Sequence, residues 1–161
     1  MAENTGNPAI RLQRLWHTLR PLPGGRWLFS RLLGWLVPYS GSIGAVVMEL
    51  RPGYARLELS DRRQVRNHLH SVHAVALTNL GELTSGLALL TGLPAEVRGI
   101  PVHIAIEFHK KARGRLVAQS RCNPPSVAAA LDFEVYADIH DASAELVAHT
   151  TVRWRLSPLP S

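Results

Sequence analysis

Glu82 stands nine residues after His73, and His73 six residues after Asn67, within the run Asn67–Gly86 (N-H-L-H-S-V-H-A-V-A-L-T-N-L-G-E-L-T-S-G). A loop rich in Asn and His feeds an apolar stretch that carries one acid. A helix start offers unpaired backbone N–H groups and the positive end of the helix dipole. N–H groups near His73 and Ala74 are therefore placed to hold the oxygen of a polarised carbonyl. A carboxylate further along the same helix can face a carbonyl, activate water against it or attack it directly. That combination suits acyl transfer.

The elements around these residues have to hold them in place. Val72, Ala76, Leu80, Leu83, Leu87 and Leu90 recur at spacings of three and four, which predicts a helix over 71–91, capped by Ser71 and ended at Gly92 with Pro94 beyond. Gly81 and Gly86 in its middle each cost about 1 kcal/mol relative to Ala. Close approach of a wrapping sheet would offset that cost. Glu82 shares a face with Asn79, Ser85 and Gly86, away from the leucine stripe. A lone helical Glu is ordinarily solvated. This helix is apolar or small almost everywhere else, so its second face is expected to be covered, and a covered carboxylate needs a partner or a task.

His68, His70 and His73 form H-x-H-x-x-H, which invites a zinc reading. No carboxylate or Cys stands at a matching second spacing, and the three positions straddle a loop and a helix start. The chain is read as holding no metal, with these histidines as loop or substrate-contacting residues. Cys122, the single cysteine, excludes an internal disulfide; it reads as a small apolar filler rather than a nucleophile.

At 161 residues, with 46% apolar and 19% charged side chains, the chain is most simply one globular domain with a real core. The formal charge is +6, and 16 of the 18 basic residues are Arg. Such a balance fits nucleic acid, an anionic membrane or a phosphate-bearing substrate such as coenzyme A. Aromatic residues do not interleave with the basic ones in any run, so nucleic-acid binding is not expected. Met1 to Pro8 is polar and resembles no signal peptide, and a cytoplasmic location is the expectation.

Residues 1–8 read as a loose tail. Ala9 to Leu19 and Arg26 to Val37 carry helical patterns separated by the breaker Pro21-Leu22-Pro23-Gly24-Gly25. The second is too short to span a bilayer. Its wide apolar face packs on the domain in the simpler reading, and residues 26–37 leave peripheral membrane contact open in the sharper one. Strand patterns follow at Ile43–Leu50 and Tyr54–Leu59 around the turn Arg51-Pro52-Gly53, then at Pro101–Lys110, Leu116–Cys122, Leu131–Ile139 and Leu146–Leu156. Tyr54, Arg56 and Glu58 alternate strictly with Ala55, Leu57 and Leu59, which gives one buried face. Two strands, one long apolar helix and four strands make an α+β protein with an antiparallel sheet curled round the helix.

In element order and in the spacing of Asn67, His73 and Glu82, the chain resembles the hotdog-fold acyl-CoA thioesterase superfamily, in its PaaI-like or uncharacterised bacterial branch. The resemblance covers roughly residues 40–156, so a hotdog domain is expected over 40–157 with a helical extension over 1–39. It implies that Glu82 is nucleophile or general base, that the N–H near Ala74 polarises the thioester carbonyl, and that Asn67 orients water or substrate from a neighbouring subunit. It further implies a homodimer, with pairing of dimers into tetramers left open, and no cofactor: the coenzyme A or acyl-carrier thioester is the substrate. Coenzyme A phosphates would meet Arg66 and the cluster Lys110, Lys111, Arg113 and Arg115, which as a solvated turn would equally need no ligand. Four positions depart from the family pattern. Ala74-Val75 replaces a common Gly pair, Gly86 stands where a hydroxyl residue assists in some members, and Ile100 stands where Ser or Thr is frequent. The departures keep a second reading open, a non-catalytic hotdog module that binds acyl-CoA or fatty-acyl groups.

Overall fold

The computed structural model describes residues 8–159; the tail expected over residues 1–8 lies, Pro8 apart, outside them. Two helices, α1 (Pro8–Leu19) and α2 (Gly25–Leu36), and a short turn of helix α3 (Pro38–Gly41) precede β1 (Val46–Arg51) and β2 (Tyr54–Leu59). The long helix α4 (Ala74–Gly92) leads to β3 (Val97–Phe108), β4 (Leu116–Arg121), β5 (Leu131–His140) and β6 (Leu146–Pro158). The six strands form one antiparallel sheet in the order β1-β2-β4-β5-β6-β3, with α4 packed along one face. This is the hotdog architecture the sequence led us to expect.

Local chemistry explains each piece. Ala55, Leu57 and Leu59 on β2 are fully buried, as the strict alternation predicts. On β6, Val152, Trp154 and Leu156 turn inward, while Arg153 and Arg155 lie opposite Glu134 and Asp132 of β5 on the outer face. The close approach inferred from the mid-helix glycines is present. A Cβ on Gly81 would lie 2.7 Å from Thr150 Cβ, closer than any side chain could sit. The buried hydroxyls of α4 are satisfied locally: Thr84 and Thr91 donate to the carbonyls of Leu80 and Leu87, four residues back, at 2.6 and 2.7 Å.

Most boundaries fall within two residues of expectation, and four departures from it have a clear local cause. Helix α4 begins at Ala74, not Ser71, because the Ser71 hydroxyl is engaged with Asn67 and an isolated bridge between Arg66 and Val72 keeps the preceding loop extended. Strand β1 begins at Val46, because Gly44 takes a left-handed backbone (φ 63°) just after α3, a helix whose start at Pro38 the pattern did not reveal. Strand β3 begins at Val97, ahead of Pro101. Proline is tolerated there because β3 is a sheet edge, and a register irregularity between Pro101 and His103 absorbs it. Finally, residues 109–115 are not a tight turn between neighbouring strands. They carry the chain from the β3 edge to β4, between β2 and β5.

Helices α1, α2 and α3 fold back over β1 and the free side of α4. Trp16 and Phe29 meet edge to face, 5.1 Å between ring centres, and both are buried.

Candidate functional site

Glu82 is half-buried on α4, at a cleft walled by the N-terminal helices on one side and by residues of β3 and β6 on the other. Its carboxylate has no hydrogen-bond or ion-pair partner among the described residues. Burial alone raises its pKa above the ordinary glutamate value of 4.5. It opens on a cleft of about 510 Å³ whose walls are almost wholly apolar, with Leu36 and Val37 on one side, Leu83 and Leu90 on α4, and Trp154 behind. Gly86 keeps the cleft open beside the acid: a Cβ there would stand 3.2 Å from the Trp154 ring and 3.9 Å from Glu82 Oε1.

The helix start is built differently from expectation. His73 is the N-cap: its Nδ1 accepts from the Val75 N–H at 3.1 Å. The His73 N–H donates to the Val65 carbonyl at 2.7 Å. Capping by Ser71 is thereby corrected. Between these two engaged amides, the Ala74 N–H stays without a partner among the described residues, and Ala74 is exposed.

Asn67 organises the loop. Its side-chain oxygen accepts from the N–H groups of Leu69 (2.9 Å) and Ser71 (3.2 Å) and from the Ser71 hydroxyl, and its own N–H donates to the Ser71 carbonyl. Only the side-chain amide nitrogen remains for another task. Among the described residues, His68, His70 and His73 join no group of three metal-ligating side chains.

Asp61, which carried no weight in the sequence, ties this loop to the basic segment. One carboxylate oxygen accepts from Arg66 Nε at 2.6 Å, the other from the Gly114 N–H at 3.0 Å, and Arg66 holds the acid below its ordinary pKa. The Val72 N–H donates to the carbonyl of buried Ala112 at 2.8 Å. Residues 109–115 therefore lie against the loop that starts α4. The five proposed phosphate contacts divide accordingly. Arg66 pairs with Asp61, Lys110 with Asp141 (2.7 Å) and Glu145, and Arg115 stands 3.9 Å from Glu58. Lys111 and Arg113 are exposed and have no acidic partner within 4.0 Å among the described residues.

Within one chain the helix start and Glu82 do not meet. Eight residues at ~1.5 Å rise separate Ala74 from Glu82 by about 12 Å along the axis, whereas one thioester carbonyl must lie within about 3 Å of both. Asn67, His73 and Ala74 are also absent from the walls of the Glu82 cleft. Sequence reasoning missed Arg98 and Trp154 as cleft residues. The buried phase of the β6 alternation was the available signal for Trp154; nothing local marked Arg98.

Burial pushes the Cys122 thiol up to about 11, so it stays protonated and packs as a filler between the two halves of the core.

A family model described as a domain of unknown function, DUF4442, matches residues 25–156. No curated protein matches the sequence. Among solved structures, a genomics target, APC5556, is 29% identical over 92% of this chain and 99% of its own, with a TM-score of 0.79. A protein of unknown function from Pseudomonas aeruginosa, described as a probable thioesterase, is 22% identical over 85% of this chain and 97% of its own, with a TM-score of 0.72. A thioesterase enzyme from Staphylococcus aureus, solved as a mutant, is 12% identical over 75% of this chain and 99% of its own, with a TM-score of 0.66. The fold of this chain is that of the hotdog thioesterases.

Proposed function

From the premise that the chain belongs to the DUF4442 family, we propose that it is a thioesterase that hydrolyses an acyl-CoA or acyl-carrier thioester. One observation supports the reading: Glu82 is a half-buried carboxylate with no hydrogen-bond or ion-pair partner among the described residues, and it faces an apolar cleft. Burying a charge without compensation is costly, and a fold retains such an arrangement where the group has chemistry to perform.

The acyl chain lies in the cleft with its thioester at Glu82. The carboxylate takes a proton from water as the hydroxide oxygen bonds to the carbonyl carbon, or it attacks that carbon directly. In the first route the C–S bond breaks as the tetrahedral intermediate collapses, and the thiolate takes the proton that Glu82 removed from water. In the second, loss of the thiolate leaves a mixed anhydride on Glu82, which water hydrolyses to the free acid, regenerating the carboxylate and protonating the thiolate. The oxyanion needs a donor at about 3 Å, and the offset of about 12 Å within one chain excludes the chain's own Ala74 N–H. In a homodimer, a second copy supplies that N–H, with the free amide of Asn67 beside it.

The β3 edge is the surface that suits such pairing. It is 12 residues long, has no strand on its outer side, and exposes Ile100, Val102, Ile104 and Phe108. Lys111 and Arg113, held next to the helix start through Ala112 and Gly114, are the contacts best placed for coenzyme A phosphates, with Arg66 behind them.

Purified protein assayed for thiol release across acyl-CoA chain lengths, with Glu82→Gln as control, tests the proposal. Turnover that the variant retains in full would remove Glu82 from the mechanism.

A second reading rests on a specific observation. Val75 replaces the second Gly of the family pair and is 54% exposed at the helix start, where a substrate backbone would approach. A non-catalytic acyl-CoA binder would tolerate that side chain. It predicts saturable binding of a long-chain acyl-CoA with no thiol released.

A further inference from the structure

We propose that the outer face of α2 docks this protein on an anionic lipid surface. Three of the four ridges at four-residue spacing on helix α2 carry its large side chains. Phe29 and Leu33 face inward and are buried. The other two ridges, Trp27-Arg31-Trp35 and Leu28-Leu32-Leu36, are exposed over the whole length of the helix. Trp27 is 59% exposed, Trp35 79% and Leu36 61%, and Tyr39 on α3 adds a further aromatic ring at 73%. Scattered apolar side chains are normal on a surface, but a continuous patch of this kind marks an interaction site.

Charge identifies the occupant. Residues 8–48 contain five Arg and no Asp or Glu. Arg26 borders the apolar ridges and Arg31 sits within one of them; both are exposed, as is Arg20 in the preceding turn, and the Arg31 guanidinium lies 5.7 Å from the centre of the Trp27 ring. Tryptophan and tyrosine sit at the headgroup level of a bilayer with their apolar bodies turned inward, and arginine pairs with anionic headgroups. A second folded protein with a complementary patch would leave this one-signed rim needing acidic partners; an anionic bilayer supplies them everywhere.

The position in the fold gives the surface a use. Leu36 and Val37 are exposed on the docking face and also line the cleft that holds Glu82. A lipid-facing helix thus forms one wall of an apolar cavity, and an acyl chain can pass from one to the other without crossing water. The docking itself does not depend on the thioesterase reading, because it is measured by binding.

The full chain is mixed with vesicles of phosphatidylcholine alone and of phosphatidylcholine with phosphatidylglycerol, and followed by flotation and tryptophan emission. Trp16 and Trp154 are 3% exposed each, so a blue shift reports on Trp27 and Trp35. We expect flotation with the anionic vesicles only, a blue shift on binding, and at least a tenfold loss in Trp27→Ser/Trp35→Ser and separately in Arg26→Glu/Arg31→Glu. Both variants alter exposed side chains, so circular dichroism stays that of the parent. Hydrolysis of a soluble short-chain acyl-CoA stays unchanged too, which separates failure of docking from failure of catalysis. Folded parent protein that floats with neither vesicle overturns the proposal, as does equal binding to neutral vesicles that is indifferent to charge reversal. A parent oligomer that the tryptophan variant splits, with no vesicle binding, assigns the face to a second copy and overturns it as well.

Discussion

The two faces of α4 are built to opposite rules. Towards the sheet, Leu80, Ala88 and Leu89 are fully buried, Gly81 has no room for a methyl group against Thr150, and the hydroxyls of Thr84 and Thr91 return to helix carbonyls. Towards the N-terminal helices, Glu82 has no partner among the described residues, Leu83 and Leu90 are only part-covered, and a cleft stands open. One helix therefore carries a finished interior and an unfinished one. Filling the first holds the fold together; in the proposed function, the unfilled second makes space for the acyl chain and leaves the carboxylate free to react.

The largest expected effect falls on the open face. Glu82→Gln should lower kcat/KM by about 1000-fold, within the range typical of a lost general base, and should also raise the melting temperature. The sign follows from the raised pKa. Burial favours the protonated acid, so the ionised parent loses stability as pH rises through the unfolded value of 4.5 towards the folded one, and the loss is complete above the latter. At pH 7 the amide relieves this by up to about 3 °C; below about pH 4 the two proteins should melt together. The parent's activity should likewise rise with pH along a limb lying above that of an ordinary glutamate. An activity limb below 4.5, or a variant that melts lower than the parent at pH 7, would break the contrast between the faces.

Two alanines placed on the same helix sharpen it. Gly81→Ala sets a methyl into the Thr150 side chain. Overpacking of this kind costs about 1–3 kcal/mol, and the better helix propensity of alanine returns about 1 kcal/mol. A melting temperature lower by about 3–6 °C is expected, with acyl-chain preference unchanged. At Gly86, the added methyl sits 3.2 Å from a tryptophan that borders open space. Stability should stay within about 0.5 kcal/mol of the parent, while KM for the longest accepted acyl-CoA rises severalfold. Equal destabilisation by the two substitutions would show that both faces are packed alike.

What the sequence disclosed divides along the same line. The buried face was legible because its signals are local. The three- and four-residue spacing from Val72 to Leu90 set the helix, and the alternation from Tyr54 to Leu59 set a strand with bounds that the structure reproduces. The expectation that Glu82 would be covered was also local, since small residues surround it in sequence. The cleft was not legible, because Leu36 and Trp154 reach Glu82 from distant parts of the chain. Nor was the tie through Asp61, whose partner Gly114 lies 53 residues away. The His73 cap escaped because Ser71 is the better capping residue by type, and only the prior claim of Asn67 on its hydroxyl removes it from that role.

Asp61→Asn has the smallest expected effect and reaches the helix start rather than either face. The amide keeps an acceptor for the Gly114 N–H but loses the charge that holds Arg66. An ion pair with one exposed partner contributes about 0–1 kcal/mol, so the melting temperature at pH 7 should fall by no more than about 3 °C. Because the folded pKa of Asp61 is depressed, its contribution is present above the unfolded value of 3.8 and is lost as pH falls through the folded one; parent and variant should converge in acid. The functional readout is more specific than the thermal one. Loosening residues 109–115 from the loop moves Lys111 and Arg113 away from the helix start. KM should then rise severalfold for acyl-CoA and stay unchanged for the same acyl group on N-acetylcysteamine, which has the thioester but no phosphates. An equal rise for both substrates would place the disturbance at the carbonyl and take the coenzyme A phosphates off this basic rim.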